Sequence, residues 1–303
     1  RAIVVFTEDW KEDAARRDFT MNAMFLRPDG TLEDPFGGYD DALGGRVRFV
    51  GEAATRIRED ALRILRFFRF NAHFGKDGIN SAGLKACADH AGQINILSGE
   101  RIRAEFLKLL TASDPVAVLA SMKSAGILQS YLPGPYDLGA LTRLTAIEAE
   151  TPDPILRLAA FAPERSEQAF RASARMRFPN ADAVRFTSLS QGILPEIPDD
   201  PATRRQIFIN GNSLFEDLVR LGYASGKFAR TRAVDLIAQS EDWPKPDLPL
   251  RGADLMRMGI AAGPGVGTLL RAIEAWWTER DFGPGHAECL AEAHRMAGRE
   301  CRE

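Results

Sequence analysis

The 303 residues are 45% hydrophobic and 27% charged, with a formal net charge of −3. This ordinary globular composition excludes a disordered chain and a generally basic coat for nucleic acid, so a polyanion would have to meet a local patch. Cys87, Cys289 and Cys301 stand far apart with no CxxC or Cys/His spacing, which excludes a disulfide framework and a zinc site and fits a reducing cytoplasm.

No run of about 18 apolar residues marks a membrane span, and no signal peptide is present. The chain starts RAIVVF without a Met, so further sequence is expected before Arg1. Residues 1–6 are β-branched and aromatic and predict a short strand, and 12–26 predict a helix with its apolar residues on one face. TLEDPFGGYDD (31–41) places Pro and paired Gly between short apolar segments, a turn signature. The first 51 residues thus read as the remnant of an α/β unit.

From Glu52 onward Ala, Leu and Arg dominate, and apolar residues recur at helical intervals through 52–73, 82–95, 98–112 and 114–130. Ser98 or Gly99 is the expected N-cap of a helix that carries Ile102, Phe106, Leu109 and Leu110 on its apolar face. Pro133, Gly134 and Pro135 close this section. A second helical portion, 139–303, is interrupted at TPDP (151–154), PEIPDDP (195–201) and WPKPDLP (243–249), all expected interhelical loops. The expected fold is mainly α.

The stretch EDALRILRFFRF (59–70) carries the most chemistry. Asp60, Arg63, Arg66 and Arg69 recur at every third residue, so on an α-helix they step by about −60° and form a slowly winding ridge. Apolar residues fill the remainder, which predicts a largely buried helix whose arginines need acids, backbone carbonyls or a polyanion as partners. Two readings stay open on spacing alone. The ridge is either a salt-bridged interdomain helix or an edge that recognises nucleotides, with Arg offering a planar donor fork and Asp an acceptor.

RRDFTMNAM (16–24), DPFGGYDDALGGRVRFVG (34–51) and EDALRILRFFRF (59–70) resemble three consecutive motifs of the bacterial class II tRNA nucleotidyltransferase and poly(A) polymerase family, which includes the CCA-adding enzymes. LSGERIRAEFLKLL (97–110), AGILQSYLPG (125–134) and residues 250–277 resemble its helical body and tail. The resemblance implies the rear of a nucleotidyltransferase head over 1–51, a neck and body over 52–136 that bind RNA and nucleotide, and a tail over 137–303. It implies an elongated, all-helical arrangement after the head. It further implies addition of CMP and AMP to the tRNA 3′ end from CTP and ATP with Mg²⁺, releasing pyrophosphate, in the cytoplasm and with no membrane partner. The oligomeric state stays open.

Carried over by position, Asp60 and Arg63 would read the base, and Arg66 and Arg69 would contact the nucleotide or its phosphates. Glu59 would hold an arginine in place. One of Arg16 and Arg17, with Arg17 preferred, would meet the nucleotide, and Asp18 would orient ribose or that arginine. Asn22 is open between a functional and a packing role. DPFGG is open between a flexible loop that rearranges the site and a plain hairpin turn.

Such transfer needs carboxylates for two divalent metals, supplied in the family by an Asp-x-Asp pair after a Gly-rich turn. No Asp-x-Asp occurs in the 303 residues. The metal carboxylates are therefore expected upstream, no catalytic residue is assigned here, and the chain alone is expected to be inactive. LGGRVRFVG (43–51) has Phe49 where that turn needs an acid and reads as a hairpin and lead-in to the neck. AGPGVG (262–267) reads as a tight interhelical turn. His73, His90, His286 and His294 lack metal spacing, and Trp276 with Trp277 reads as tail packing. Two other functions fit the residues: poly(A) synthesis by the same family, and a non-catalytic helical module that binds RNA.

Overall fold

Asp9 accepts from the N–H groups of Lys11 and Glu12 and so caps α1 (Trp10–Ala15). The computed structural model describes residues 9–148, 150–162, 167–192 and 194–300. The strand expected over 1–6 lies outside them.

The helix expected over 12–26 stops at Ala15. Phe19 is extended (φ −121°, ψ 150°) and bridges to Phe49. Thr20 N–H donates to the Arg48 carbonyl and Val50 N–H to the Asp18 carbonyl, each at 3.0 Å. A non-local backbone pairing thus takes a donor and an acceptor that a continuing helix would use. A 3₁₀ turn (Thr20–Asn22) follows, then a hairpin of β1 (Phe25–Leu26) and β2 (Leu32–Glu33), with Phe25 opposite Glu33. Its turn is built from Arg27 to Thr31, with Gly30 at φ 85°, and not from DPFGG or LGGRVRFVG.

DPFGG instead leads into α2 (Gly38–Gly44), where the Asp34 carboxylate accepts from the N–H groups of Gly38 (2.7 Å) and Tyr39 (2.9 Å). Gly38 is obligatory, because a Cβ there would lie 2.0 Å from the Thr20 carbonyl oxygen.

Asp41 on α2 is 1% exposed and gathers three donors: Thr20 Oγ1 (2.6 Å), Arg48 Nε (2.7 Å) and Arg46 Nε (3.1 Å). Burial pushes its carboxyl up, but the hydrogen bonds from Arg48, Thr20 and Arg46 together outweigh burial and hold it below the usual carboxylate range. A depressed folded value means that its stabilisation is present at neutral pH and is lost as pH falls below about 4 through that value. Asp41→Asn is expected to cost about 1–3 kcal/mol at pH 7, because both arginines are half exposed and can be resolvated. Urea unfolding at a series of pH values checks this: the gap to the parent protein should close in acid, and a pH-independent gap would refute it.

α3 (Ala53–Glu59) ends where Asp60 turns extended (φ −151°, ψ 106°), and α4 (Leu62–Phe74) starts after it. The Asp60 carboxylate accepts from Leu62 N–H (3.1 Å) and competes with the helical ladder. The ridge expected as one helix is therefore a break followed by α4, with Asp60 in the break.

Helices α5 (Ser81–Asp89), α6 (Gly99–Leu110), α7 (Val116–Ser124), α8 (Leu138–Thr145), α9 (Pro154–Phe161), α10 (Glu167–Arg175) and α11 (Asn180–Gln191) continue a mainly helical chain. Ser98 caps α6 through Arg101 N–H. α4 packs along α6 and against α7, and its Ile64, Leu65, Phe67, Phe68 and Phe70 are buried. Phe67 stacks on Phe49 at 5.2 Å and Phe19 lies 5.0 Å from Phe70, so α4 and the 18–20 segment share one core.

The remaining helices are α12 (Asp200–Asn210), α13 (Asn212–Ala224), α14 (Arg230–Asp242), α15 (Gly252–Arg257), α16 (Pro264–Thr278) and α17 (His286–Glu300). WPKPDLP falls between helices, TPDP and PEIPDDP run into the first residues of α9 and α12, and AGPGVG is mostly the start of α16 and not a turn, with only Ala262 and Gly263 ahead of that helix. Two compact units result: the described residues up to Gly192 with Arg220–Lys227, and the rest. The second has its own core of Phe208, Leu250, Leu255, Leu269, Ile273, Trp277, Cys289 and Ala293, with Trp276 packed against it. Cys87 is buried in the first unit and Cys289 in the second, and both are free thiols. Among the described residues no helix is long and apolar enough to cross a membrane.

Candidate functional site

The residues assigned to nucleotide binding lie in the first unit, on the 16–22 segment, the end of α3, the 60–61 break and α4. The break places Asp60 just ahead of α4, which carries the arginines, and leaves its carboxylate 38% exposed. Arg101 Nη2 of α6 reaches both of its oxygens, at 3.1 and 2.8 Å.

Arg63 is held at three points. Its Nη1 donates to the Arg56 carbonyl (2.8 Å) and to Glu59 Oε2 (2.6 Å), and its Nη2 to the Arg16 carbonyl (2.9 Å). A guanidinium so fixed has a defined plane. Glu59 also accepts from Arg56 Nη2 at 2.5 Å.

Asp18 is 8% exposed. One oxygen accepts from Phe19 N–H (2.9 Å) and Asn22 Nδ2 (3.1 Å), the other from Arg66 Nε (2.6 Å). The arginine that Asp18 orients is thus Arg66, and Asn22 steadies Asp18. Arg69 Nε donates to Glu105 Oε2 at 2.6 Å and the guanidinium lies 4.6 Å over the Phe70 ring. Glu105 Oε1 is also 3.8 Å from Arg66 Nη1. A charge ladder Asp18, Arg66, Glu105, Arg69 therefore runs along one side of α4. Burial of its two carboxylates is sustained by these ion pairs.

Arg16 and Arg17 are half exposed and pair within α1 and its end, with Glu12 and with Asp13 (3.0 Å) respectively. The Arg17 guanidinium also lies 5.4 Å from the Phe25 ring. The structure does not bring either side chain to Asp18. His73 Nε2 contacts the Lys108 carbonyl at 2.7 Å, and among the described residues no cluster of three or more His, Cys, Asp or Glu could hold a metal ion.

Arg101 and Glu105 were not foreseen. A signal existed: Glu105 sits among Ile102, Phe106 and Leu109 on the apolar face of α6, and a carboxylate on such a face needs a cationic partner.

Chemically, the site offers an exposed carboxylate acceptor beside an immobilised donor fork. Cytosine and adenine each present an exocyclic amine, whereas uracil-type and guanine edges place a carbonyl oxygen at that position. An ionised carboxylate accepts hydrogen bonds only. It attracts an amine and repels a carbonyl oxygen.

Two family models match parts of the chain on either side of the 59–74 segment. Residues 1–48 match a family described as the poly A polymerase head domain, and residues 79–137 one described as the probable RNA and SrmB-binding site of polymerase A. The mitochondrial CCA tRNA nucleotidyltransferase 1 of Mus musculus is 29% identical over 93% of this chain and 66% of its own length. The CCA-adding enzyme of Lactococcus lactis subsp. lactis is 30% identical over 97% of this chain and 73% of its own. Among solved structures, the Bacillus stearothermophilus CCA-adding enzyme in complex with CTP superposes with a TM-score of 0.74 at 25% identity, over 99% of this chain and 78% of that one. The chain spans about two thirds of the length of the mouse and human relatives, 66% of each.

Proposed function

The chain belongs to the CCA-adding tRNA nucleotidyltransferase and poly(A) polymerase family, and from that premise we propose that it selects CTP and ATP for addition of CMP and AMP to the tRNA 3′ end. The observation that carries the reading is Asp60 beside Arg63, an acceptor and a fixed donor set where α3 breaks into α4. Arg66 and Arg69, ordered by Asp18 and Glu105, supply positive charge for the nucleotide and its phosphates. Arg17, half exposed, is on this reading a further nucleotide contact.

The 1–51, 52–136 and 137–303 segments serve on this reading as rear of head, neck with body, and tail. Transfer of this kind draws on Mg²⁺, and no metal cluster exists among the described residues. With no Asp-x-Asp pair in the sequence either, no residue here is assigned to the metal. The part of the described residues is to bind the nucleotide, orient its base and reject the wrong one. The cytoplasm is the proposed site of action, in keeping with two free, buried cysteines.

The full-length protein, given tRNA that lacks its 3′ CCA, should add two C residues and one A when CTP and ATP are both supplied, and should ignore UTP and GTP. Long A tracts from ATP alone would instead establish the poly(A) reading. No incorporation with retained tRNA binding would leave an RNA-binding module. The 303-residue chain by itself is expected to bind CTP without transferring CMP.

A further inference from the structure

The carboxylate proposed to read the base is steered from another helix. Arg101 lies 41 residues along the chain from Asp60, yet its Nη2 sits within 3.1 Å of both Asp60 oxygens. One of those oxygens also accepts from Leu62 N–H at 3.1 Å. Four residues on, and so on the same side of α6, Glu105 takes Arg69 and faces Arg66. One turn of α6 thus sets a cation against the carboxylate of the reading edge and an anion against its arginines.

We propose that Arg101 is a positioning residue for base selection: it fixes the plane of the Asp60 carboxylate so that an oxygen faces the exocyclic amine of cytosine or adenine. The inference rests on the nucleotide-selecting function proposed above. Each carboxylate oxygen has two lone-pair sites, so the three bonds from Arg101 and Leu62 leave one acceptor site, on Oδ2, for the base. Asp60 lies in an extended break and not in a helix, so its backbone alone does not fix that plane. Rejection of uracil depends on lone pairs meeting lone pairs at one position. A carboxylate free to swing away would no longer enforce that repulsion, and a water could bridge the gap.

The pair is also poorly suited to a purely structural task. Its side chains are 47% and 38% exposed, and ion pairs of that exposure add little to stability. Loss of Arg101 should therefore leave the fold intact while it alters selection.

The test uses the full-length protein with tRNA that lacks its 3′ CCA, and compares Arg101→Met and Arg101→Lys with the parent. Steady-state kcat and KM are measured for CTP and for UTP at saturating tRNA, and KM for tRNA at saturating CTP. In Arg101→Met the CTP KM should rise about 5- to 10-fold with kcat changed less, and the UTP-to-CTP ratio of kcat/KM should rise about tenfold. KM for tRNA should stay unchanged. Arg101→Lys should recover part of the discrimination, because an ammonium still reaches the carboxylate as a point charge. Equal losses for CTP and UTP, or a change confined to KM for tRNA, would overturn the assignment in favour of a structural or RNA-contacting role. If the parent transfers neither CMP nor AMP, the nucleotide-selecting function fails and this inference with it. Transfer by the parent with unaltered discrimination in Arg101→Met defeats the inference alone.

Discussion

Replacing Arg157 with Ala is expected to destabilise the first unit by about 3–5 kcal/mol, the largest stability effect foreseen for a single polar side chain here. Arg157 and Glu148 are an ion pair with side chains only 4% and 5% exposed. Arg157 Nε lies 2.9 Å from both Glu148 oxygens and Nη2 lies 2.8 Å from one. Its Nη1 donates to the Leu110 and Ala112 carbonyls, at 2.6 and 2.5 Å. Those are orphan acceptors at and just beyond the end of α6, so this side chain on α9 closes off the helix that holds Arg101 and Glu105. The truncation strands a buried carboxylate and two carbonyls at once. Urea unfolding measures the loss. The double replacement Arg157→Met with Glu148→Leu should recover part of it, since no charge is left unpaired although the two carbonyls still lack their donor. A single Arg157→Ala change worth under about 1 kcal/mol would show that water reaches the site.

Arg63→Ala should produce the largest functional effect: a fall of about 10- to 100-fold in kcat/KM for both CTP and ATP, with more misincorporation and little change in KM for tRNA. The magnitude follows from the roughly 1–3 kcal/mol that a well-placed Arg contact to a base edge contributes to discrimination. Glu59 and the carbonyls of Arg56 and Arg16 hold the guanidinium before any ligand arrives, so little ordering cost remains on binding. Arg63→Lys should recover little, because an ammonium can neither span those three acceptors nor keep a planar fork toward the base. Parallel single-turnover measurements with CTP, ATP and UTP decide the matter. Unchanged nucleotide affinity and fidelity in Arg63→Ala would remove this residue from the reading edge.

Much of the helical framework was legible because its causes are local. Ser98 and the apolar repeat after it announce α6, and the Pro-rich interruptions mark the loops between later helices. Where the reading failed, the cause was non-local or finely balanced. The helix expected through Phe19 is cut short by pairing with Phe49, a competitor 30 residues away that periodicity cannot see. Asp60 fits an uninterrupted helix by spacing, yet its side chain takes Leu62 N–H and turns the backbone extended. The need of the ridge arginines for partners could be read from apolar neighbours on nearly every side, but not the identity of those partners. Asp18 and Glu105 lie 48 and 36 residues from the arginines they hold. Arg101 escaped notice because an arginine in the first turn of a helix looks like part of a solvated face.

The two buried cysteines have a practical consequence. Cys87 is fully buried in the first compact unit and Cys289 in the second. Burial pushes both thiols above their ordinary range, so neither forms thiolate readily while its surroundings stay closed. With Cys301 replaced by Ser, each unit would carry a single silent reporter. The rate at which a thiol reagent labels each position under native conditions then becomes a clock for the opening of that unit. Two rates from one sample would separate local from global unfolding without any spectroscopic label.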